Sequence, residues 1–134
     1  MTTYWSDVDR FNEIYKLPRP VKPTNPANDR LDFFKQILLE EVEEVEAIKA
    51  KTDPLERLTD LGDWLADIIV YCSTEARRHG LPIEKILDVI MQSNFSKLGA
   101  DGKTIYDERG KVLKGPNYWK PEPSIQKLIE KELA

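Results

Sequence analysis

The sequence predicts an all-α protein, an antiparallel helix bundle with an irregular basic C-terminal flap, and three observations carry that prediction. Apolar residues recur at helical spacing over three long stretches, with one shorter stretch ahead of them. Proline, aspartate, asparagine and glycine stand where such stretches should start and stop. Beyond Gly99 the pattern gives way to glycines, prolines and lysines.

The short leading helix is read over residues 1–16 from Tyr4, Val8, Phe11, Ile14 and Tyr15. Pro18, Pro20, Pro23 and Pro26 exclude helix from the connector that follows, Leu17 to Pro26. Asn28 or Asp29 can cap a second helix running to about Lys51. Asp53 then caps a third helix, with Pro54 in its first position, and Gly80 closes it after His79. Pro82 opens a fourth, ending near Leu98 and Gly99. Behind it lie a candidate hairpin around Asp107–Gly110 and a short helix after Pro123. Three long amphipathic helices and a short one suggest a bundle. We expect a single domain, 1–134, made of a leading segment 1–27, a helical core 28–98 and a flap 99–134.

Composition narrows the function. Hydrophobic residues make up 40% and charged residues 33% of 134 residues, ordinary values for a globular protein. The net charge of −4 gives no general attraction to nucleic acid, so no nucleic-acid partner is expected. The single cysteine, Cys72, precludes an intrachain disulfide and is expected to be a buried small hydrophobe. The N-terminal residues lack the apolar core of a signal peptide, and no apolar run could span a bilayer. A cytoplasmic protein without a membrane partner is the expectation.

The carboxylates carry the chemistry. On a helical wheel of roughly 100° per residue, Leu31, Phe34, Leu38, Val42 and Val45 form the apolar stripe of the second helix, widened by Ile37 and Ile48. Glu41 falls inside that arc, Glu44 at its edge and Glu40 just beyond. On the third helix Asp60, Asp63 and Asp67 fall within about 60° of one another, sharing a face with Tyr71 and Thr74. Aspartates in a helix interior are poor for propensity, and like charges this close repel. The tight link at Thr52–Pro54 should pack the two helices antiparallel and bring the carboxylates face to face, which a bound cation would make tolerable. A ligand set of oxygens suits Mg²⁺, or Mn²⁺, better than zinc. His79, the one histidine, is not spaced for a di-iron site. Mg²⁺ that keeps positions open for phosphate oxygens points to phosphate chemistry.

Glu40-Glu41-Val42-Glu43-Glu44 contains an E-E-x-x-E motif, and Asp63-Trp64-Leu65-Ala66-Asp67-Ile68-Ile69-Val70-Tyr71 follows on the next helix. Ser93-Asn94-Phe95-Ser96-Lys97-Leu98, Asp101-Gly102-Lys103 and Gly110-Lys111-Val112-Leu113-Lys114-Gly115-Pro116-Asn117-Tyr118 come next in order. Together these resemble the all-α nucleoside triphosphate pyrophosphohydrolases, the MazG-like proteins, in the branch related to phosphoribosyl-ATP pyrophosphohydrolase. The likeness covers roughly residues 8–121.

The resemblance implies hydrolysis of a nucleoside triphosphate to a monophosphate and pyrophosphate, with dUTP-like or non-standard nucleotides as substrates. It implies Mg²⁺ held by Glu40, Glu41, Glu44, Asp63 and Asp67, with Glu44 or Glu41 acting on the attacking water. The family carries E-x-x-D on its second metal helix. If Asp67 is that aspartate, Trp64 stands in the glutamate position, and Asp63 or Asp60 supplies the missing ligand.

Asn94 and Lys97, one turn apart, with Lys111, Lys114 and Tyr118, read as phosphate contacts in the flap, and Lys103 could join them. A P-loop motif is absent from the sequence. Phe11, Tyr15, Trp64, Phe95, Trp119 and Asn12 are candidates for a base slot. A homodimer or tetramer is expected, because Leu65, Ile69 and Ala76 lie far from the acidic face. Two other readings compete: a nucleotide- or metal-binding module without catalysis, motivated by Trp64, and phosphoribosyl-ATP hydrolysis.

Overall fold

The structure is a computed structural model that describes residues 3–134. Six helices account for its regular structure: α1 (Tyr4–Ile14), α2 (Asn28–Glu43), α3 (Val45–Ala50), α4 (Pro54–Arg78), α5 (Ile83–Phe95) and α6 (Glu122–Leu133). The protein is all-α, as the sequence predicts. The chain divides into two compact units, Met1–Leu81 and Pro82–Ala134. The fourth predicted helix, α5, therefore groups with the C-terminal segment rather than with the helices before it.

The first unit is organised around α4. Its start follows the sequence closely: the Asp53 carboxylate accepts the Glu56 N–H at 2.9 Å, with Pro54 in the first turn. Its end is fixed by Gly80, whose φ of +68° belongs to the left-handed region, and a Cβ there would meet the Lys22 carbonyl oxygen at 2.6 Å. That close approach brings the proline-rich connector back along the end of α4, where Thr24 N–H donates to the His79 carbonyl at 2.8 Å.

Thr3 and Ser6 form a capping box at the start of α1, which then packs against α4. Val8 is buried there, the Tyr4 hydroxyl donates to Ser73 Oγ at 2.7 Å, and Asp9 pairs with Arg77 at 2.7 Å.

Helices α2 and α4 run antiparallel, because Arg30 near the start of α2 meets Glu75 near the end of α4, while Glu41 near the end of α2 meets Trp64 in the middle of α4. Three expectations need correction here. The α2 cap is Ala27, which has no side-chain bond to offer, rather than Asn28 or Asp29. The predicted second helix is broken at Glu44 into α2 and α3. Its Glu41 carbonyl accepts the Glu44 N–H at 3.2 Å, a three-residue turn, and also the Trp64 indole N–H at 2.6 Å. A side chain entering the backbone ladder is a recognised cause of such a break. Cys72, expected to be buried, is exposed. It follows Leu58, Leu61, Leu65 and Ile69 along an exposed apolar stripe of α4, whereas Ala76 is buried.

In the second unit α5 and α6 pack together, with Lys85 and Glu132 3.8 Å apart. Helix α5 ends at Phe95, short of the expected Leu98, and the buried Ser93 hydroxyl donates to the Trp119 carbonyl at 2.9 Å. The expected hairpin is reduced to one antiparallel bridge, Tyr106 with Val112, turned by Asp107 and by Gly110 at φ +79°.

Candidate active site

Each carboxylate predicted to matter lies in the first unit. Glu41 is half-buried, and its Oε2 is buried with no hydrogen-bond partner among the described residues. Burial first, then the negative charge of Glu44, a hydrogen bond shared with Glu44 and the charge of Asp67 push the Glu41 carboxyl above its ordinary value. The Tyr71 hydroxyl works in the other direction. Tyr71 is raised in turn, chiefly by the charge of Glu41. The pattern ties Glu41, Glu44, Asp67 and Tyr71 into one electrostatic cluster across the α2–α4 interface.

Two clefts are lined by members of this cluster. A smaller one, of about 300 Å³, is lined by Glu44, Ala47, Ile48, Asp60, Asp63 and Trp64. Both aspartates that the sequence offered as alternatives line it. They differ in company: Asp60 lies 3.6 Å from Lys51 Nζ, while Asp63 has no ion-pair partner among the described residues. Glu40 is exposed and lines neither cleft.

The larger cleft, of about 440 Å³, has an apolar wall of Phe11, Leu17, Phe34, Ile37 and Val70, with Asp67 and Tyr71 also lining it. Arg30, Thr74, Glu75 and Arg78 line the same cleft. Of the base-slot candidates, the structure places Phe11 in this cleft, while Trp64 lines the smaller one. Asn12 is fully buried and donates to the Thr74 carbonyl at 3.2 Å, with its own Oδ1 unpartnered among the described residues.

Sequence reasoning missed a buried ion-paired group that lines the larger cleft. Glu75, 9% exposed, accepts from Arg30 Nε at 3.1 Å and lies 2.7 Å from His79 Nε2. Burial works to raise its carboxyl, but the hydrogen bonds from Arg30 and His79 outweigh burial and hold it below the usual carboxylate range. The spacing of Glu75 and His79, four apart at the C-terminal end of α4, was a visible signal. Arg30 was not.

The predicted phosphate contacts all lie in the second unit. Asn94 stands in the last turn of α5, and the Lys97 carbonyl accepts the Gly115 N–H at 2.8 Å, which brings Lys97 beside Lys114. Lys114 Nζ stacks 5.0 Å from the Tyr118 ring, and Lys111 is held by Asp107, whose carboxylate accepts its N–H at 2.8 Å.

Whether the carboxylates suit a cation can be judged from these contacts. Among the described residues no three or more Asp, Glu, His or Cys side chains already surround one point as metal ligands do. The fit lies in chemistry: an all-oxygen set, a buried carboxylate oxygen on Glu41 that lacks a donor, and the uncompensated Asp63 beside Glu44. Oxygen donors of this kind match the chemistry of Mg²⁺ or Mn²⁺ rather than that of zinc.

The same architecture occurs in a solved structure from Exiguobacterium sp. 255-15, named a "putative NTP pyrophosphohydrolase", which is 24% identical and superposes with a TM-score of 0.56 over 98% of this chain and 96% of that one. The fold is shared. At that identity the likeness speaks for architecture alone. No family model matches the chain, and no curated protein matches it either. No helix among the described residues is long and apolar enough to cross a membrane.

Proposed function

We propose that the protein is a Mg²⁺-dependent hydrolase that cuts a nucleoside triphosphate between its α- and β-phosphates, giving a monophosphate and pyrophosphate. The observation that carries this reading is the half-buried Glu41 carboxylate, set among Glu44, Asp67 and Tyr71 with one oxygen, Oε2, that has no partner among the described residues, and an apolar cleft lined by Asp67 and Tyr71. The name of the Exiguobacterium protein supports it.

Glu44 and Asp63, with Asp67 beside Glu41, would hold the ion. When bound, Mg²⁺ offsets phosphate charge and raises the electrophilicity of phosphorus. The chain's own groups do the rest. The apolar wall formed by Phe11, Phe34, Ile37 and Val70 receives the nucleoside and sheds its water. Glu41, beside Glu44 and Asp67, accepts a proton from the water that attacks the α-phosphorus; pyrophosphate leaves with the bridging oxygen. A dUTP-like or non-standard nucleotide is the proposed substrate. The exposed stripe Leu58, Leu61, Leu65 and Ile69 is proposed to bury itself against a second copy of the chain.

Pyrophosphate release from a panel of triphosphates, with Mg²⁺ and with chelator, tests the proposal. Turnover that requires Mg²⁺ and disappears in Glu41→Gln is expected. A folded protein that turns over no member of the panel overturns it.

A further inference from the structure

The face of α4 that carries the aspartates also carries an indole. Trp64 follows Asp60 by four residues and precedes Asp67 by three, so all three share one side of the helix. Its ring N–H reaches the Glu41 carbonyl at 2.6 Å, and α2 stops two residues later. In an uninterrupted helix that carbonyl would take the N–H of Val45. Here it takes the Glu44 N–H and the indole, and Glu44 becomes the corner between α2 and α3. Glu44 then lines the same cleft as Asp63 and Trp64 itself.

We propose that Trp64 is a positioning residue for the divalent-cation site, holding the helix broken at Glu44 so that Glu44 faces Asp63 across the α2–α4 interface. The inference rests on the cation reading given above. The chemistry of the side chain suits the task. Lysine or arginine reaching the same carbonyl would bring a positive charge among the carboxylates and compete with the ion. The indole is an uncharged donor with no acceptor, so it takes the backbone oxygen and leaves each carboxylate free. A phenyl ring fills similar space and cannot make the bond.

The test measures Mn²⁺ affinity of the folded, full-length protein from the electron paramagnetic resonance signal of the free ion. Wild type is expected to bind Mn²⁺, and Trp64→Phe to bind it about 10-fold or more weakly, the range seen when a group that orients metal ligands is lost. Trp64→Phe binding as tightly as wild type overturns the role of Trp64 while leaving the cation site standing. Wild type that binds no Mn²⁺ overturns the cation reading and this role with it. A measurement independent of the variants uses the three tryptophan indole N–H resonances of the wild-type protein. Titration with Mg²⁺ should shift the Trp64 resonance more than those of Trp5 and Trp119, and an unmoved Trp64 signal contradicts the proposal.

Discussion

Replacing Glu41 by glutamine should stabilise the metal-free protein while abolishing its activity. The Glu41 carboxylate is half-buried, has an oxygen without a partner, and stands among Glu44 and Asp67. A glutamine amide carries no charge and can donate to both neighbours. Leaving a buried polar group unsatisfied costs about 1–3 kcal/mol, so recovery of about 1 kcal/mol is a conservative expectation. For a chain of this length the unfolding entropy is about 0.28 kcal/mol/K, which turns that gain into a rise of roughly 3–4 °C in Tm. The sign follows from linkage. The native carboxyl of Glu41 lies above the ordinary value of 4.5, so ionising it costs the native state more than the unfolded chain. The advantage of the variant should therefore be small below about pH 4.5, grow as pH rises through the native value, and hold its full size above it. Differential scanning calorimetry in chelator across that range measures it. Excess Mg²⁺ should raise the wild-type Tm more than that of the variant, because one of the charges the ion compensates is gone. A variant that melts below wild type at every pH, with equal response to Mg²⁺, refutes the reasoning.

Other perturbations read other parts of the account. Glu75 behaves oppositely to Glu41: its native carboxyl lies below 4.5, so the stability it contributes is full above that value and is lost as pH falls through the lower native one. The urea midpoint of wild type should drop over that acid range, and Glu75→Gln, already destabilised by roughly 3–5 kcal/mol from breaking a buried ion pair, should lack that step. Asp53→Ala removes the cap of α4 and should cost about 0.5–2 kcal/mol in urea unfolding. Changing Leu65 and Ile69 together to lysine should leave the far-ultraviolet circular dichroism unaltered and reduce the molecular mass in sedimentation to that of one chain; an unchanged mass would move the contact elsewhere. Gly115→Ala would set a Cβ 2.1 Å from the Leu98 carbonyl oxygen and should destabilise the second unit by about 1–3 kcal/mol, visible as a lowered Tm.

What the sequence could show depended on whether the cause was local. The start of α4 was legible because Asp53 and Pro54 act on their own helix, and its end because Gly80 is needed where it stands. The wheel also placed Asp60, Asp63 and Asp67 on one face, and the structure sets that face against Glu41 and Glu44. The break at Glu44 was hidden because the indole that meets the Glu41 carbonyl lies on another helix. Trp64 looked like a gap in a ligand motif, and its donor is spent on a backbone carbonyl. The pairing of Arg30 with Glu75 joins two helices and left no trace in local spacing. Cys72 was misplaced for a related reason: a helical wheel says which residues share a side, and cannot say whether the protein covers that side.

The most direct test is a crystal grown with Mn²⁺ and a non-hydrolysable triphosphate, with data collected to show the anomalous signal of the metal. The account predicts a peak among the carboxylates of Glu44, Asp63 and Asp67, close to Glu41. A peak bound elsewhere, or a nucleotide seated in the larger cleft with no metal near those residues, would contradict it.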